Sequence, residues 1–485
     1  MDERARIPVS LPCANPTVSY WQDPPDELAD HRSTAELPDT ADTVIIGSGI
    51  TGAAVAWGLL QGPNPGSILM LEARQACSGA TGRNGGHTKA ASYRTFAHHT
   101  QSHSRAIAKQ IARLELRNIR AVHAFARAHA VPCDLHPCDT LDVVYDPAEW
   151  AAAREGVAAL RAAFPPFPSD RRYTLYSREE VLRRFPVHDG VFEGREERVQ
   201  GGVGYFAGSL SAYKFGIGVL RACVERGLNL QTGTAVTGLV AVSPAAAAAA
   251  GKERWEVSTE RGVVRAGRVV LATNGYTAGV WRQFQGAVVP LRGQVTAQRP
   301  GQGMPAGGCL DRTYSFIYGR GYEYMVSQPE GSRFAGDIVM GGGLARAQEE
   351  GLMEYGTTDD GAMNGEISQY LRETTERYFG PDWGEDDPDG RVRSEWTGIM
   401  GFSPDGFPFV GEVPGESGLW TSCGFQGHGM VLCWECARAL VEMMEGRDGE
   451  ELREWFPDVF RITQERMAQR FRGRLDAIPK DGESN

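Results

Sequence analysis

The chain has 485 residues, 41% hydrophobic and 23% charged, an ordinary globular balance and too long for one simple core. A net charge of −11 without a basic cluster argues against nucleic acid or an anionic membrane as the main partner. No run reaches the ~18 apolar residues of a membrane span, Met1 to Arg6 has no secretory apolar core, and nine cysteines read as reduced thiols, so a cytoplasmic protein is expected.

Residues 1 to 40 are rich in proline and polar residues. That composition fits an extended arm lying across the body through Trp21, or a partly disordered tail. The organising stretch follows, from Thr43 to Gly86. The apolar run Thr43 to Ile46 leads into Gly47-Ser48-Gly49-Ile50-Thr51-Gly52 and a helical segment ending at Leu60. A second apolar run, Ile68 to Leu71, ends on Glu72, 20 residues past Gly52. This is a strand, a glycine turn, a helix and a strand. Gly47 makes the turn, Gly49 lets a pyrophosphate approach the backbone, and Gly52 lets helix and strand pack closely. The helix start, with Ile50 and Thr51, offers N–H groups to phosphates. Glu72 is placed to accept hydrogen bonds from a ribose hydroxyl, with Ala73 and Arg74 beside it. A bound dinucleotide follows, NAD or FAD. The next loop separates the two. Gly79-Ala80-Thr81-Gly82-Arg83-Asn84-Gly85-Gly86 is a second close backbone approach, which a flavin ring needs and NAD does not.

GSGITG together with GATGRNGG resembles the D-amino-acid-oxidase superfamily of FAD-dependent amine and amino-acid oxidoreductases. Within it, the glycine/sarcosine oxidase and gamma-glutamylputrescine oxidase-like branch is nearest. The resemblance runs over roughly residues 40 to 445. It implies an α/β fold, α+β overall: a Rossmann-like FAD-binding domain interleaved with an antiparallel-sheet substrate domain. The expected division is an arm at 1–40; FAD-binding segments at 41–100, 200–290 and 394–449; substrate segments at 101–199 and 291–393; and a polar helical tail at 450–485.

Beyond the flavin loop, Ile107, Ile111, Leu114, Val122 and Phe125 predict one helix over Ser102 to His129. The histidines around it lack the cysteine-paired spacing of a metal site, and no metal is expected. A strand at Leu141 to Tyr145, a helix at Glu149 to Phe164, a capping box at Ser177 and a helix at Ser211 to Arg226 follow. The resemblance places the backbone of Val236 against adenine and Ala272-Thr273-Asn274 near the pyrophosphate. Ala245 to Ala250 reads as a loop insertion. Short strand patterns from Pro290 to Arg393 form the substrate sheet, with Arg292, Tyr322 and Tyr324. From Trp396 the chain returns to the flavin through Gly398 and Gly424-Phe425-Gln426-Gly427-His428-Gly429-Met430, then a helix to Glu445. Cys433 and Cys436 lie one helical turn apart and read as core.

Flavin reduction places negative charge near N1 and the C2 carbonyl. The glycines of 424–429 let backbone N–H groups crowd that edge. His428 either supports the reduced flavin and its reaction with oxygen or points away. Arg83 and Asn84 either bond the ring or phosphates or pack the loop. In relatives a histidyl flavin link falls at the position of Arg83, and a cysteinyl link near Gly398, so noncovalent FAD is expected, with His87 no anchor. Arg292 either clamps a substrate carboxylate or supports a turn. Tyr322 and Tyr324 share a strand face and line the pocket or fill core. The resemblance implies hydride transfer from the carbon beside a neutral amine to flavin N5, hydrolysis of the imine, and reoxidation by oxygen to hydrogen peroxide. Desolvation in an aromatic pocket, without a dedicated base, favours the neutral amine. Two alternatives stay open: a dehydrogenase or biosynthetic tailoring enzyme that does not use oxygen, and a flavin-bound regulatory protein. Neither the substrate nor the oligomeric state is legible.

Overall fold

A computed structural model describes residues 1–165, 173–192, 194–242, 254–319 and 321–474. The alanine run at 245–250 and the end of the tail lie outside the described residues. Two eight-stranded sheets organise the chain.

The first sheet centres on strand Thr40–Ile46, which pairs in parallel with Ile68–Leu71 on one side and Gly262–Leu271 on the other. Asn229–Gln231 extends one flank and Leu419–Cys423 the other, both in parallel. Val44, Ile45 and Met70 are fully buried. Both faces of these strands are covered, Ile45 and Met70 packing with helix Ile50–Leu60 and Val44 and Leu69 with Trp255 and Phe284, which is why the strands are continuous apolar runs. Helix Ile50–Leu60 packs between Ala212–Val224 and Cys433–Met444.

The second sheet runs in the order Val392–Phe402, Val289–Gln298, Ile338–Gly341, Gly321–Ser327, Arg312–Tyr318, His136–Val144, Gly201–Ser209 and Thr174–Ser177. It is mixed rather than purely antiparallel: Arg312–Tyr318 and His136–Val144 pair in parallel. The two strands come from separate excursions of the chain, and no hairpin joins them. Its core includes Phe316 stacked on Tyr378, with ring centroids 3.9 Å apart.

Two segment boundaries differ from the sequence expectation. Gly201–Ser209 pairs along its whole length with His136–Val144, and Val392–Phe402 with Val289–Gln298, so both strands belong to the second sheet. Each is the last strand of one excursion before the chain crosses back. The long helix is also two helices, Ser92–Ser102 and Arg105–Ala128. The Ser104 hydroxyl accepts the Ile107 N–H at 3.2 Å and restarts the helix as an N-cap. The Ser177 capping box is present.

The first 40 residues lie against the body. Trp21 is 7% exposed, and its Nε1–H donates to the Asn84 carbonyl at 2.5 Å. The Ser19 hydroxyl donates to the Gly82 carbonyl at 2.5 Å, and Tyr20 stacks on Trp396. The tail is less polar than expected, because Leu452, Phe456 and Phe460 are buried. Cys433 and Cys436 are buried free thiols on one helix. Among the described residues, no helix is long and apolar enough to cross a membrane.

The arm's anchoring yields a direct test. Trp21→Ala removes a buried indole and its bond to Asn84, and should lower stability by about 3–5 kcal/mol in urea denaturation.

Candidate active site

Between the two sheets lies a cavity of about 1190 Å³. That exceeds the roughly 300–1,000 Å³ of an ordinary small-ligand pocket and leaves room for more than one molecule.

At one end are the first glycine turn and its partners. Gly47 has φ +103°, and a Cβ there would lie 2.6 Å from the Ala272 carbonyl oxygen. A Cβ on Gly52 would overlap the Gly47 carbonyl, so Gly52 supports the turn from behind and does not line the cavity. Gly49, Ile50 and Thr51 do line it. The Ile50 N–H donates to Thr81 Oγ1 at 3.0 Å, which joins the first glycine turn to the second. One Glu72 oxygen accepts the Ser48 N–H at 3.0 Å and hydroxyl at 2.6 Å; the other accepts the Arg74 N–H at 3.0 Å. The second oxygen, with only the Arg74 N–H on it, retains lone-pair capacity for a ribose hydroxyl. Ala73, Val236, Ala272 and Thr273 complete this end.

Arg74 points its guanidinium at Asp360, with two hydrogen bonds of 2.9 Å. Its Nε and the Tyr276 hydroxyl are buried without a protein partner, and both residues line the cavity. Orphaned polar atoms are costly unless something satisfies them. A donor guanidinium and a phenol beside a glycine turn suit phosphate and ribose oxygens, so the residues present fit FAD.

The second loop forms the middle wall. Gly79, Ala80, Thr81, Arg83, Asn84 and Gly85 line it. Gly86, at φ +77°, packs on the Leu210 carbonyl instead. A Cβ on Gly79 would meet no protein atom within 4 Å. Arg83 and Asn84 do not present their polar groups to the cavity as one reading expected. Arg83 Nε donates to Asp360 at 3.2 Å and Nη1 to the Thr17 carbonyl at 2.8 Å. The Asn84 amide donates to the Ala80 and Thr81 carbonyls at 3.1 Å, and its oxygen accepts the Gly86 N–H at 2.7 Å. Both side chains build the loop, because a buried guanidinium needs a carboxylate and a tight turn needs its own amides satisfied.

Asn274 is likewise structural. Its side-chain oxygen accepts the N–H groups of Gly424 at 3.0 Å and Phe425 at 3.3 Å, tying the strand-end turn to the last glycine loop. Phe425, Gly427, His428, Gly429 and Met430 line the cavity; Gly424, at φ +75°, turns behind them. Gly398 packs on Arg83, where a Cβ would come within 2.9 Å of the Arg83 Cβ. His428 faces the cavity beside His99, whose basicity burial depresses to about 4, with smaller contributions from His98, His103 and His428. His87 is half-buried, and its Nε2 lies 2.7 Å from Thr313 Oγ1.

At the far end the second sheet supplies Arg292, Ser315, Tyr322 and Tyr324. The Tyr324 ring lies on Gly85, where a Cβ would overlap it. Arg292 is not free to clamp a carboxylate: its Nε donates to Glu354 at 2.6 Å and its Nη1 to the Asp359 carbonyl at 3.1 Å. Both side chains of that ion pair are nearly buried, so its removal would strand a charge.

Sequence reasoning missed several groups here. Lys89 pairs with Asp142, which also accepts the hydroxyls of Tyr93 and Tyr205 at 2.8 Å. Arg94 and Glu115 line the cavity. Ser92 Oγ donates to Glu115 at 2.5 Å, and burial pushes the Glu115 carboxyl up to about 7, the serine bond opposing. Glu115 had a signal: it is an acid on the buried face, beside Leu114 and one turn from Ile111. Asp360 had none, since its partners lie near the other end of the sequence.

The chain matches the model of the family described as "DAO: FAD dependent oxidoreductase" over residues 42–443. It is 25% identical to a glycine oxidase of Pseudomonas aeruginosa over 194 residues, 40% of this chain and 45% of that protein, so the match spans less than half of that relative. It is 24% identical to the probable oxidoreductase OrdL of Rhizobium meliloti over 415 residues, 84% of each chain. The crystal structure of glycine oxidase from Geobacillus kaustophilus shares the fold, with a TM-score of 0.66 at 18% identity, over 88% of this chain and 99% of that one.

Two outcomes follow. Gly52→Ala should abolish or strongly reduce bound FAD, read as the flavin-to-protein absorbance ratio, because the added methyl displaces the Gly47 carbonyl. Glu115 keeps its proton in the fold up to about pH 7, whereas the unfolded chain releases it near the ordinary 4.5. The stabilisation is therefore complete below that value and lost as pH rises through 7. Relative to Glu115→Gln, wild type should lose up to about 3 kcal/mol between pH 4.5 and 8, measured by denaturant titration.

Proposed function

Because this chain belongs to the DAO family of FAD-dependent oxidoreductases, FAD is its cofactor, and we propose that it oxidises the C–N bond of an amine or amino acid, with oxygen as electron acceptor and hydrogen peroxide as product. One observation carries the reading: a single cavity runs from the Gly47 turn, past the Gly79 to Gly86 loop, to the tyrosines of the second sheet. A dinucleotide and a small substrate thus share one enclosure. The glycine oxidase name of one relative points the same way.

Bound FAD supplies the hydride acceptor and the route of electrons to oxygen. The chain's own residues do the rest. The turns at Gly47, Gly79 and Gly427 admit a flat ring system close to the backbone. Tyr322 and Tyr324 exclude water from the reacting end. An amine held there beside the cation of Arg94 sheds its proton more readily, because desolvation and a like charge both oppose the ammonium form. No dedicated base is required. FAD is held noncovalently in this reading: Arg83 and Gly398 occupy the positions of linking residues in relatives, and the His87 ring is engaged with Thr313.

The yellow protein should be mixed anaerobically with amino acids, N-methylated amino acids and polyamines. At least one should bleach the flavin absorbance, and admitting air should restore it with peroxide equal to substrate consumed. Slow reoxidation would replace the oxidase with a dehydrogenase, and bleaching by no amine would overturn C–N oxidation. Acid precipitation should release the yellow colour into the supernatant.

A further inference from the structure

Helix Arg105–Ala128 contains a single acid, Glu115, on its buried face, and that acid lines the cavity with Ile111 one turn before it. Two contacts fix its place. The Ser92 hydroxyl, just past the second glycine loop, donates to it at 2.5 Å. On the next turn of the helix, the Asn118 amide donates to the Met430 carbonyl at 3.1 Å, and its oxygen accepts the Glu435 N–H at 3.0 Å. The helix is thereby tied to the last glycine loop, and Glu115 stands between the exits of two loops that border the flavin's place.

No ion pair accounts for an acid there. Among the described residues, Ser92 is its only hydrogen-bond partner and no cation pairs with it, so one oxygen is left for the cavity. The charged groups of the elements packed on this helix are engaged elsewhere. On Ser92–Ser102, Tyr93 donates to Asp142, Arg94 lies over the Tyr322 ring, and His99 packs on Phe407 with His98 beside it. On Cys433–Met444, Glu435 pairs with Arg117 and Arg438, and Glu442 with Arg438. The acids of Glu450–Trp455 are exposed. On its own helix, Lys109 and Arg113 lie over Phe164. Burial therefore dominates and places the carboxyl's exchange of protons near neutrality. An apolar side chain at this position would avoid the desolvation cost.

Amine oxidation leaves a proton to place. An ammonium that becomes an iminium gives up one proton from nitrogen and one hydride from carbon. The hydride's electron pair passes by way of FAD to oxygen, and hydrogen peroxide takes up both. Resting on the reading of the cavity as an amine-oxidation site, we propose that Glu115 carries the proton: its carboxylate receives the one that the amine sheds, and its carboxyl returns it to the oxygen that becomes peroxide. An N–H bond breaks as the carboxyl O–H forms, and that O–H breaks as peroxide forms. Ammonium and oxygen give iminium and hydrogen peroxide, with no proton drawn from the medium. Glu115 does not replace desolvation as the force that loosens the ammonium; it is where the expelled proton goes. The negative charge that arrives with the hydride holds the proton on the carboxyl until oxygen collects both.

The test uses the FAD-loaded protein, with glycine, sarcosine and putrescine as amine probes. Each is mixed anaerobically at about pH 8, where Glu115 starts ionised, in weakly buffered solution with an indicator dye. Wild type should bleach its flavin while releasing almost no protons. Glu115→Gln should release about one proton per flavin and bleach about 10- to 100-fold more slowly. A second measurement needs no substrate: the flavin absorbance of the resting protein is titrated from about pH 5 to about 9. Wild type should show an inflection at about 7, and Glu115→Gln none. Ser92→Ala should move the inflection upward, because it removes the bond that opposes burial. Unchanged FAD content is the folding control for both variants. Equal proton release by wild type and Glu115→Gln, an unchanged bleaching rate, or a flavin titration that is flat in wild type or survives in Glu115→Gln would each overturn the assignment. Bleaching with unaltered proton release sinks Glu115 alone, whereas bleaching by no amine removes the oxidation reading and this role together.

Discussion

The structure depends on one buried carboxylate. The Asp360 side chain is fully buried and receives both Arg74 and Arg83, with Cys13 Sγ as a further donor at 3.0 Å. Burial alone would raise its carboxyl, but the Arg74 hydrogen bonds and charge outweigh that and hold it below the usual range. Arg74 follows the second strand of the nucleotide sheet, Arg83 sits in the second glycine loop, and Cys13 comes from the arm. Asp360 itself is in the loop ahead of helix Gly365–Phe379, on the connection between strands Ile338–Gly341 and Val392–Phe402 of the second sheet. One anion therefore fixes the relative position of three cavity walls. Such a cluster is weak evidence for net stability and strong evidence for a fixed geometry, since losing Asp360 would strand both largely buried guanidinium groups.

The same accounting explains the division among the arginines. Buried guanidinium groups are tolerated when matched, and three of those named around the cavity are matched within the protein. Each matched arginine stiffens a wall, while Arg94 is matched only by an aromatic face. The polar side chains of Asn84 and Asn274 follow this logic at the level of backbone amides. They satisfy turns, and the turns then present backbone and small residues to the cavity.

Features encoded by local backbone demands were legible in the sequence. Gly47 needs its conformation whatever lies far away, and the apolar runs around it announce a sheet buried on both faces. The capping box at Ser177 is complete within four residues. Features set by partners distant in the chain were not legible. Arg292 stayed open between a carboxylate clamp and a turn support because Glu354, 62 residues on, could not be seen beside it. Arg94 drew no attention because nothing in its neighbourhood marks it as unmatched. Gly201–Ser209 and Val392–Phe402 were placed with the wrong sheet because a strand pattern records its own burial, not its neighbour. The tail looked solvated because Phe456 and Phe460 are spaced among charges.

The arm and the tail have a consequence for how the enclosure comes into being. Leu11 and Pro12 contribute to the cavity, and so do Arg472 and Arg474. The walls therefore draw on both early and late parts of the polypeptide. During synthesis, the N-terminal sheet strands emerge long before the residues that complete the enclosure they serve. Vectorial, piece-by-piece assembly cannot finish it, and a nascent chain has no complete compartment until residues 472–474 have left the ribosome.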